Sequence, residues 1–136
     1  MKQTVGFLIT VCLLMAFDGC AQNSKQDSTK QETEYRKISA EEAKKMLDEN
    51  SGAILLDVRT EAEHKEQRIP GSMLLPNNEI KNKAKDLLPD KDALILIYCR
   101  SGGRSANAAH TLIDMGYTNV FDMGGIINWP YETEKD

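Results

Sequence analysis

The feature that most constrains the fold is a buried strand that stops at a glycine-rich loop and continues as a helix. Residues 93–98 (ALILIY) are apolar or aromatic, and residues 99–105, which we call the cysteine loop, read CRSGGRS. The next segment, ANAAHTLIDM, has the pattern of a helix and is closed by Gly116. In such a unit the backbone N–H groups of the loop converge above the positive end of the helix dipole. The unit therefore predicts a site that stabilises an anion.

Cys99 begins this loop, and two interpretations of it are open. A thiol at this position ionises more readily than a free cysteine, whose pKa is about 8.5, and Arg100 and Arg104 add positive charge. A single cysteine after a strand can also be a small packing residue, with the glycines forming a turn and the arginines solvated. Packing alone has no use for a glycine pair, two guanidinium groups and a helix start together. The combination favours a nucleophilic Cys99.

Strands and helices alternate along the rest of the domain. Apolar runs predict strands at 35–38, 53–58, 72–75, 93–98 and 120–123. Capping boxes at Ser39–Glu42 and Thr60–Glu63 predict two helix starts, and a third helix is expected over residues 78–88. The alternation predicts an α/β fold with a mostly parallel central sheet and helices on both faces. In such sheets ligands bind beyond the carboxyl ends of the strands, where Cys99 falls.

The N-terminal segment is predicted to be an export signal. Lys2 precedes an apolar run over residues 5–17. This run is shorter than the roughly 20 residues of a membrane-spanning helix and fits the centre of a signal peptide. Residues 18–20 resemble a bacterial lipoprotein cleavage site, so we expect a signal peptide over residues 1–20, cleaved before Cys20, with Cys20 carrying the lipid. Cleavage after Ala21, giving a soluble periplasmic protein, and a cytosolic protein with an apolar N-terminus are the alternatives.

The rest of the chain is expected to consist of a flexible linker and one domain. Residues 21–34 contain no large apolar side chain and are expected to form a flexible linker. Residues 35–136 then form the domain, and in the mature chain Cys99 is its single internal thiol, since Cys12 lies in the export segment. A net charge of −4 argues against a nucleic-acid partner, which would need a broad basic surface.

Two sequence blocks resemble the rhodanese family of sulfurtransferases. One is YCRSGGRS with GGIINW downstream, and the other is LLDVRTEAEHKEQRIPGSMLLP over residues 55–76. The resemblance covers residues 35–129 and implies a rhodanese-like fold. It also implies that Cys99 carries sulfur as a persulfide, and that the rest of the loop binds the substrate through backbone N–H groups, charges and hydroxyls. These binding residues are Arg100, Ser101, Gly102, Gly103, Arg104 and Ser105, with Ser105 also expected to cap the following helix.

The resemblance implies transfer of sulfane sulfur from a small anionic donor such as thiosulfate to cyanide or a thiol. No metal or organic cofactor is implied, a protein is a further candidate acceptor, and membrane contact is expected through the lipid anchor only. Two other functions are alternatives. One is a persulfide carrier or partner-binding module without turnover of its own. The other is a cysteine-dependent phosphatase or arsenate reductase, whose loops carry Cys-x5-Arg, whereas Cys99 and Arg104 have four residues between them.

Other polar residues are weaker candidates. Asp57 and Arg59 end a strand at the same edge as Cys99, where they border the pocket or form an internal ion pair. His64 and His110 lack partners at metal-ligand spacing and are expected to be solvated or packed. Trp129 is expected to pack the last helix against the domain.

Overall fold

A five-stranded sheet, all of whose strand pairs are parallel, forms the centre of the domain in the computed structural model, which describes residues 35–136. The predicted signal peptide, Cys20 and the 21–34 linker lie outside the described residues. The spatial order of the strands is β1-β5-β4-β2-β3. The strands are β1 Arg36–Lys37, β2 Ile54–Asp57, β3 Met73–Leu74, β4 Ile95–Cys99 and β5 Val120–Gly125. The predicted α/β class with a parallel sheet is confirmed.

Four α-helices and two short 3-10 helices connect the strands. Both predicted capping boxes are present, since Ser39 and Thr60 each accept the N–H of the glutamate three residues on, whose side chain accepts the cap residue's N–H in return. The α-helices are α1 Ala40–Glu49, α2 Glu61–Glu66, α3 Ile80–Leu87 and α4 Gly103–Asp114. The 3-10 helices are Asn77–Glu79 and Ile126–Asn128. No helix within residues 35–136 has the length and apolar character needed to cross a membrane.

Apolar side chains cover both faces of the sheet. Successive β4 residues alternate between the faces, so Ile95 and Ile97 belong to one buried cluster and Leu96 and Tyr98 to the other. Residues 95–98 are all 0% exposed, which is why this strand reads as a continuous apolar run. Two buried faces make β4 the rigid centre from which Cys99 emerges.

Strands β4 and β5 lose their regular register at their carboxyl ends. Ile97 pairs with Asp122 and Cys99 pairs with Gly125, so two steps along β4 correspond to three along β5. The extra residue forms a bulge, and Gly124 adopts a φ of 79° within it. Strand β5 therefore runs two residues beyond its predicted end, alongside the start of the cysteine loop.

The outer strands of the sheet are short. β1 and β3 contain two residues each, and both residues of β1, Arg36 and Lys37, are exposed and basic. The segment near residue 134 adds a single antiparallel bridge between Glu134 and Arg68, supported by an ion pair of the same two side chains. This bridge ties the last residues of the chain to the segment that follows α2.

Candidate active site

Cys99 is the last residue of β4, so this strand ends one residue later than the sequence pattern predicts. Its side chain is 1% exposed and packs within the apolar cluster that includes Val58 and Ala108. The burial agrees with the packing interpretation of this cysteine. The polar groups around the sulfur do not, because a packing cysteine needs none of them.

Backbone and hydroxyl groups of the cysteine loop surround the sulfur. The Gly102 N–H donates to Cys99 Sγ at 3.0 Å, and Ser105 Oγ lies 3.6 Å from Sγ. Burial acts to raise the pKa of Cys99, but the hydrogen bond with the Ser105 hydroxyl and those from the N–H groups of Ser105, Gly102 and Ser101 outweigh it. The pKa of the thiol is therefore lowered. This arrangement stabilises a sulfur anion at the end of β4.

The loop closes more tightly than its sequence pattern predicts. Helix α4 begins at Gly103, so only residues 100–102 connect it to β4. Gly102 occupies the cap position with a φ of 111°, a left-handed conformation that glycine adopts without steric cost. The prediction that Ser105 caps α4 is therefore wrong. Ser105 lies in the first helical turn, where its hydroxyl donates to the Gly102 carbonyl at 3.0 Å.

The two loop arginines have different surroundings. Arg100 is exposed, and its guanidinium has no hydrogen-bond or ion-pair partner within residues 35–136. Arg104 donates two hydrogen bonds of 2.8 Å to the two carboxylate oxygens of Glu63 on α2. The sequence does not predict Glu63 as a neighbour of the loop, and the only signal for Glu63 is the capping box that places it on α2.

A buried polar network occupies the carboxyl end of β2, next to the site. Arg59 donates to both carboxylate oxygens of Asp57, at 2.9 and 2.7 Å, so the predicted internal ion pair is confirmed. His64 Nδ1 and the Tyr98 hydroxyl also contact Asp57, at 2.8 and 3.0 Å. Burial acts to raise the pKa of Asp57, but the hydrogen bonds from Arg59 and His64 outweigh it and lower the pKa. Burial raises the pKa of Tyr98 to about 12.

The two histidines lie in different environments. His64 is a member of this network, a contact that its sequence context did not predict. His110 is exposed on α4 and stacks edge-on against Tyr35. Within residues 35–136 no cluster of three histidine, cysteine or carboxylate side chains is arranged to hold a metal ion.

Gly124 and Gly125 support the loop from β5. A side chain at Gly125 would overlap the Arg100 carbonyl oxygen and place its Cβ 2.6 Å from Ser101 Cα. The Ile127 N–H also donates to the Arg100 carbonyl at 3.3 Å. The sequence analysis assigned these glycines no role, although an adjacent pair at a strand end signals a close backbone approach. Together they hold the loop against the sheet.

Two cavities flank the cysteine loop. One, of about 550 Å³, is lined by Arg59, Glu63, Arg100, Ile126 and Ile127, among others. The second is lined by Ser101, Gly102 and Gly103 together with the start of α1. Cys99 lines neither cavity, so its sulfur lies beneath the loop residues that separate them. Trp129 is half-buried and packs against the cluster that contains Ile126 of the last 3-10 helix and Ala43 of α1.

Comparison with known proteins gives consistent matches. Residues 39–130 match the family model described as "Rhodanese-like domain". A protein of Allochromatium vinosum named sulfurtransferase is 37% identical over 93 residues, which cover 68% of this chain and 85% of the relative. A thiosulfate sulfurtransferase of Escherichia coli is 32% identical over 71 residues, or 52% of this chain and 68% of the relative.

Solved structures share the fold. A structure described as a rhodanese with anions from E. coli superposes with a TM-score of 0.58 at 28% identity, covering 62% of this chain and 99% of that one. A rhodanese-related protein from Thermoplasma volcanium superposes with a TM-score of 0.66 at 30% identity, covering 75% of this chain and all of that one. The rhodanese-like fold expected from the sequence is confirmed.

Proposed function

This chain belongs to the rhodanese-like domain family, and from that premise we propose that it transfers sulfane sulfur from thiosulfate to cyanide or a thiol through a persulfide on Cys99. Its named relatives support sulfurtransferase activity in general. The observation that carries the more specific proposal is the contact of loop N–H groups with the Cys99 sulfur, led by the 3.0 Å bond from Gly102. These donors stabilise an anionic sulfur whether it belongs to a thiolate or to a persulfide.

The reaction has two steps. The Cys99 thiolate attacks the outer sulfur of thiosulfate, a new S–S bond forms, and sulfite leaves with the electron pair of the broken S–S bond. The acceptor then attacks the outer sulfur of the persulfide, and the Cys99 thiolate leaves. Cyanide becomes thiocyanate, while a thiolate becomes a persulfide. Neither step consumes an oxidant or a reductant.

The loop supplies different groups to the two ends of the donor. Its N–H groups face the sulfur of Cys99. Arg100, which is exposed and has no side-chain partner among residues 35–136, attracts the sulfonate of thiosulfate and steadies the departing sulfite. Because Cys99 is 1% exposed, the donor has to reach its sulfur past the loop residues that cover it. Ser105, in the first turn of α4, keeps its hydroxyl oxygen 3.6 Å from the sulfur.

The experiment is thiocyanate release from thiosulfate and cyanide, combined with the intact mass of the protein after thiosulfate alone. We expect wild type to release thiocyanate and to gain the mass of one sulfur atom, and Cys99→Ser to do neither. Release that persists in Cys99→Ser would overturn the mechanism. A mass gain without turnover would indicate a persulfide carrier, and Cys99-dependent hydrolysis of an aryl phosphate would indicate a phosphatase.

We also propose that the domain is exported and attached to a bacterial membrane through a lipid on Cys20. The apolar run of residues 5–17, the cysteine that follows it and the polar tether of residues 21–34 support this. The mass of the mature N-terminus tests it. A lipid-modified Cys20 is expected, whereas an unmodified chain beginning after Ala21 would make the protein soluble and periplasmic.

A further inference from the structure

Glu63 binds the cysteine loop from outside it. Its carboxylate accepts two 2.8 Å hydrogen bonds from Arg104, in the bidentate arrangement that is the strongest for an arginine–carboxylate pair. Glu63 is separated from Arg104 by 41 positions in the sequence, so the contact joins α2 to the first turn of α4. It is also one of the residues that line the 550 Å³ cavity beside Arg100.

The position of Glu63 is fixed by its own helix. Its carboxylate also accepts the Thr60 N–H at 3.0 Å, which completes the capping box of α2. The hydrogen bond from Arg104 lowers the pKa of Glu63 to about 2, so the side chain stays anionic throughout the neutral range. A permanent negative charge is therefore held against one of the two loop arginines.

The pair leaves the loop with one uncompensated guanidinium group. Arg104 is neutralised by Glu63, whereas the Arg100 side chain has no partner within residues 35–136. Arg104 directly precedes Ser105, whose Oγ lies 3.6 Å from Cys99 Sγ. The charge of Cys99 accordingly adds to the raised pKa of Arg104, after the larger contribution of the hydrogen bond to Glu63. A change in the net charge of the Glu63–Arg104 pair therefore alters the electrostatic potential at the Cys99 sulfur.

We propose that Glu63 is a specificity-determining residue that limits the positive charge around Cys99 and so reduces the preference of the site for sulfur donors with two negative charges over donors with one. This inference rests on the proposed sulfurtransferase function and adds to it the range of donor charge that the site accepts. Donors with one negative charge include organic thiosulfonates and alkyl persulfides. Thiosulfate, a dianion, would gain most from a more positive site, because its Coulomb interaction with that site is about twice that of a monoanion.

Glu63→Gln tests the proposal without removing the helix cap, because glutamine serves at this capping-box position as well as glutamate does. We expect KM to fall about tenfold for thiosulfate and about threefold for benzenethiosulfonate, the same interaction acting on two charges and on one. Both donors react by attack at the outer sulfur. A change in the ratio of their kcat/KM values therefore measures the effect of donor charge. The matched control is Glu61→Gln, an exposed residue of the same helix that pairs with Lys65, and it should leave the ratio unchanged.

A double substitution shows whether Glu63 acts through Arg104. Arg104→Gln alone should raise KM for thiosulfate, and Glu63→Gln/Arg104→Gln, which removes both charges, should return the donor ratio close to that of wild type. A loss of thermal stability in Glu63→Gln with an unchanged ratio would show a structural role only and overturn the proposal.

A second readout separates this inference from the proposed function. Alkylation of Cys99 by neutral iodoacetamide reports thiolate formation and needs no sulfur transfer. We expect the midpoint of its pH profile to move to lower pH in Glu63→Gln, because an unpaired Arg104 stabilises the thiolate. An absence of thiocyanate release by wild type would remove the proposed function, whereas an unmoved alkylation profile would remove the role of Glu63.

Discussion

Strands β2 and β4 lie side by side in parallel register, and each ends in a buried group that can carry a negative charge. Asp57 at the end of β2 is 0% exposed, and Cys99 at the end of β4 is 1% exposed. The Asp57 carboxylate is satisfied mainly by side chains, above all by the guanidinium of Arg59, and by one backbone N–H, that of Arg59. The Cys99 sulfur is satisfied by backbone N–H groups and one hydroxyl.

The difference separates structural from reactive groups at one edge of the sheet. A carboxylate paired with a buried guanidinium has its charge compensated within the protein, and it positions neighbouring side chains. A sulfur held by backbone dipoles keeps its electron pairs and its charge, because dipoles stabilise an anion without neutralising it. Removal of a group should therefore cost mainly stability at β2 and mainly reactivity at β4.

The largest effect is expected from Asp57→Asn. The substitution leaves Arg59 buried without a charged partner, so the free energy of unfolding should fall by about 3–5 kcal/mol, as for other buried pairs that lose one member. Urea denaturation measures this loss. Asp48→Asn is the matched control, since Asp48 pairs with Lys44 at the surface and should cost about 0–1 kcal/mol. Equal costs for the two variants would contradict the structural role of Asp57.

Gly125→Ala should displace the loop from its support. The added methyl group would overlap the backbone of Arg100 and Ser101, which cannot yield as a flexible side chain does. We expect a loss of about 1–3 kcal/mol in the free energy of unfolding, as for other overpacked sites, together with slower sulfur transfer. Gly52→Ala is the control, because its Cβ would meet nothing within 4 Å and Gly52 lies in an exposed turn outside the site, so the substitution should be tolerated. Full activity of Gly125→Ala would show that the loop does not depend on β5.

Ser105→Ala should have a smaller effect that falls mainly on reactivity. It removes the hydroxyl nearest the sulfur, whose hydrogen bond lowers the pKa of Cys99, so the midpoint of Cys99 alkylation should move to higher pH. The Gly102 carbonyl still accepts the Ala106 N–H, which limits the stability loss to about 1 kcal/mol. Thr111→Ala, which removes an exposed hydroxyl from the same helix, should leave the alkylation profile unchanged.

The smallest effect is a pH dependence of stability carried by Cys99 itself. Because its pKa is lower in the folded than in the unfolded chain, the thiolate contributes stability that is fully present above the unfolded pKa of about 8.5. That contribution is lost as the pH falls through the folded pKa. The unfolding free energy of wild type should therefore rise relative to Cys99→Ser as the pH approaches 8.5 from below. A constant or falling difference would contradict the lowered pKa.

Local patterns in the sequence were sufficient for much of this arrangement. The β4–loop–α4 unit, both capping boxes and the Asp57–Arg59 pair follow from residues a few positions apart, whose geometry is set by the backbone between them. The Glu63–Arg104 pair does not follow from the sequence, because the two residues are 41 positions apart and only the tertiary fold brings their side chains together. The support of the loop by Gly125 likewise depends on the bulge between β4 and β5. The sequence places the cap of α4 at Ser105, because it does not show that the left-handed Gly102 closes the loop within three residues.

The short outer strands affect whether molecules of this protein associate through the edges of their sheets at high concentration. An edge strand can template hydrogen bonding with another chain, and its risk grows with the length of unpaired backbone that it presents. Here each border is only two residues long, and one of them carries the exposed cations Arg36 and Lys37. At the edges of the sheet formed by residues 35–136, intermolecular β-pairing, and the fibrous aggregation that can follow it, therefore has little backbone on which to begin.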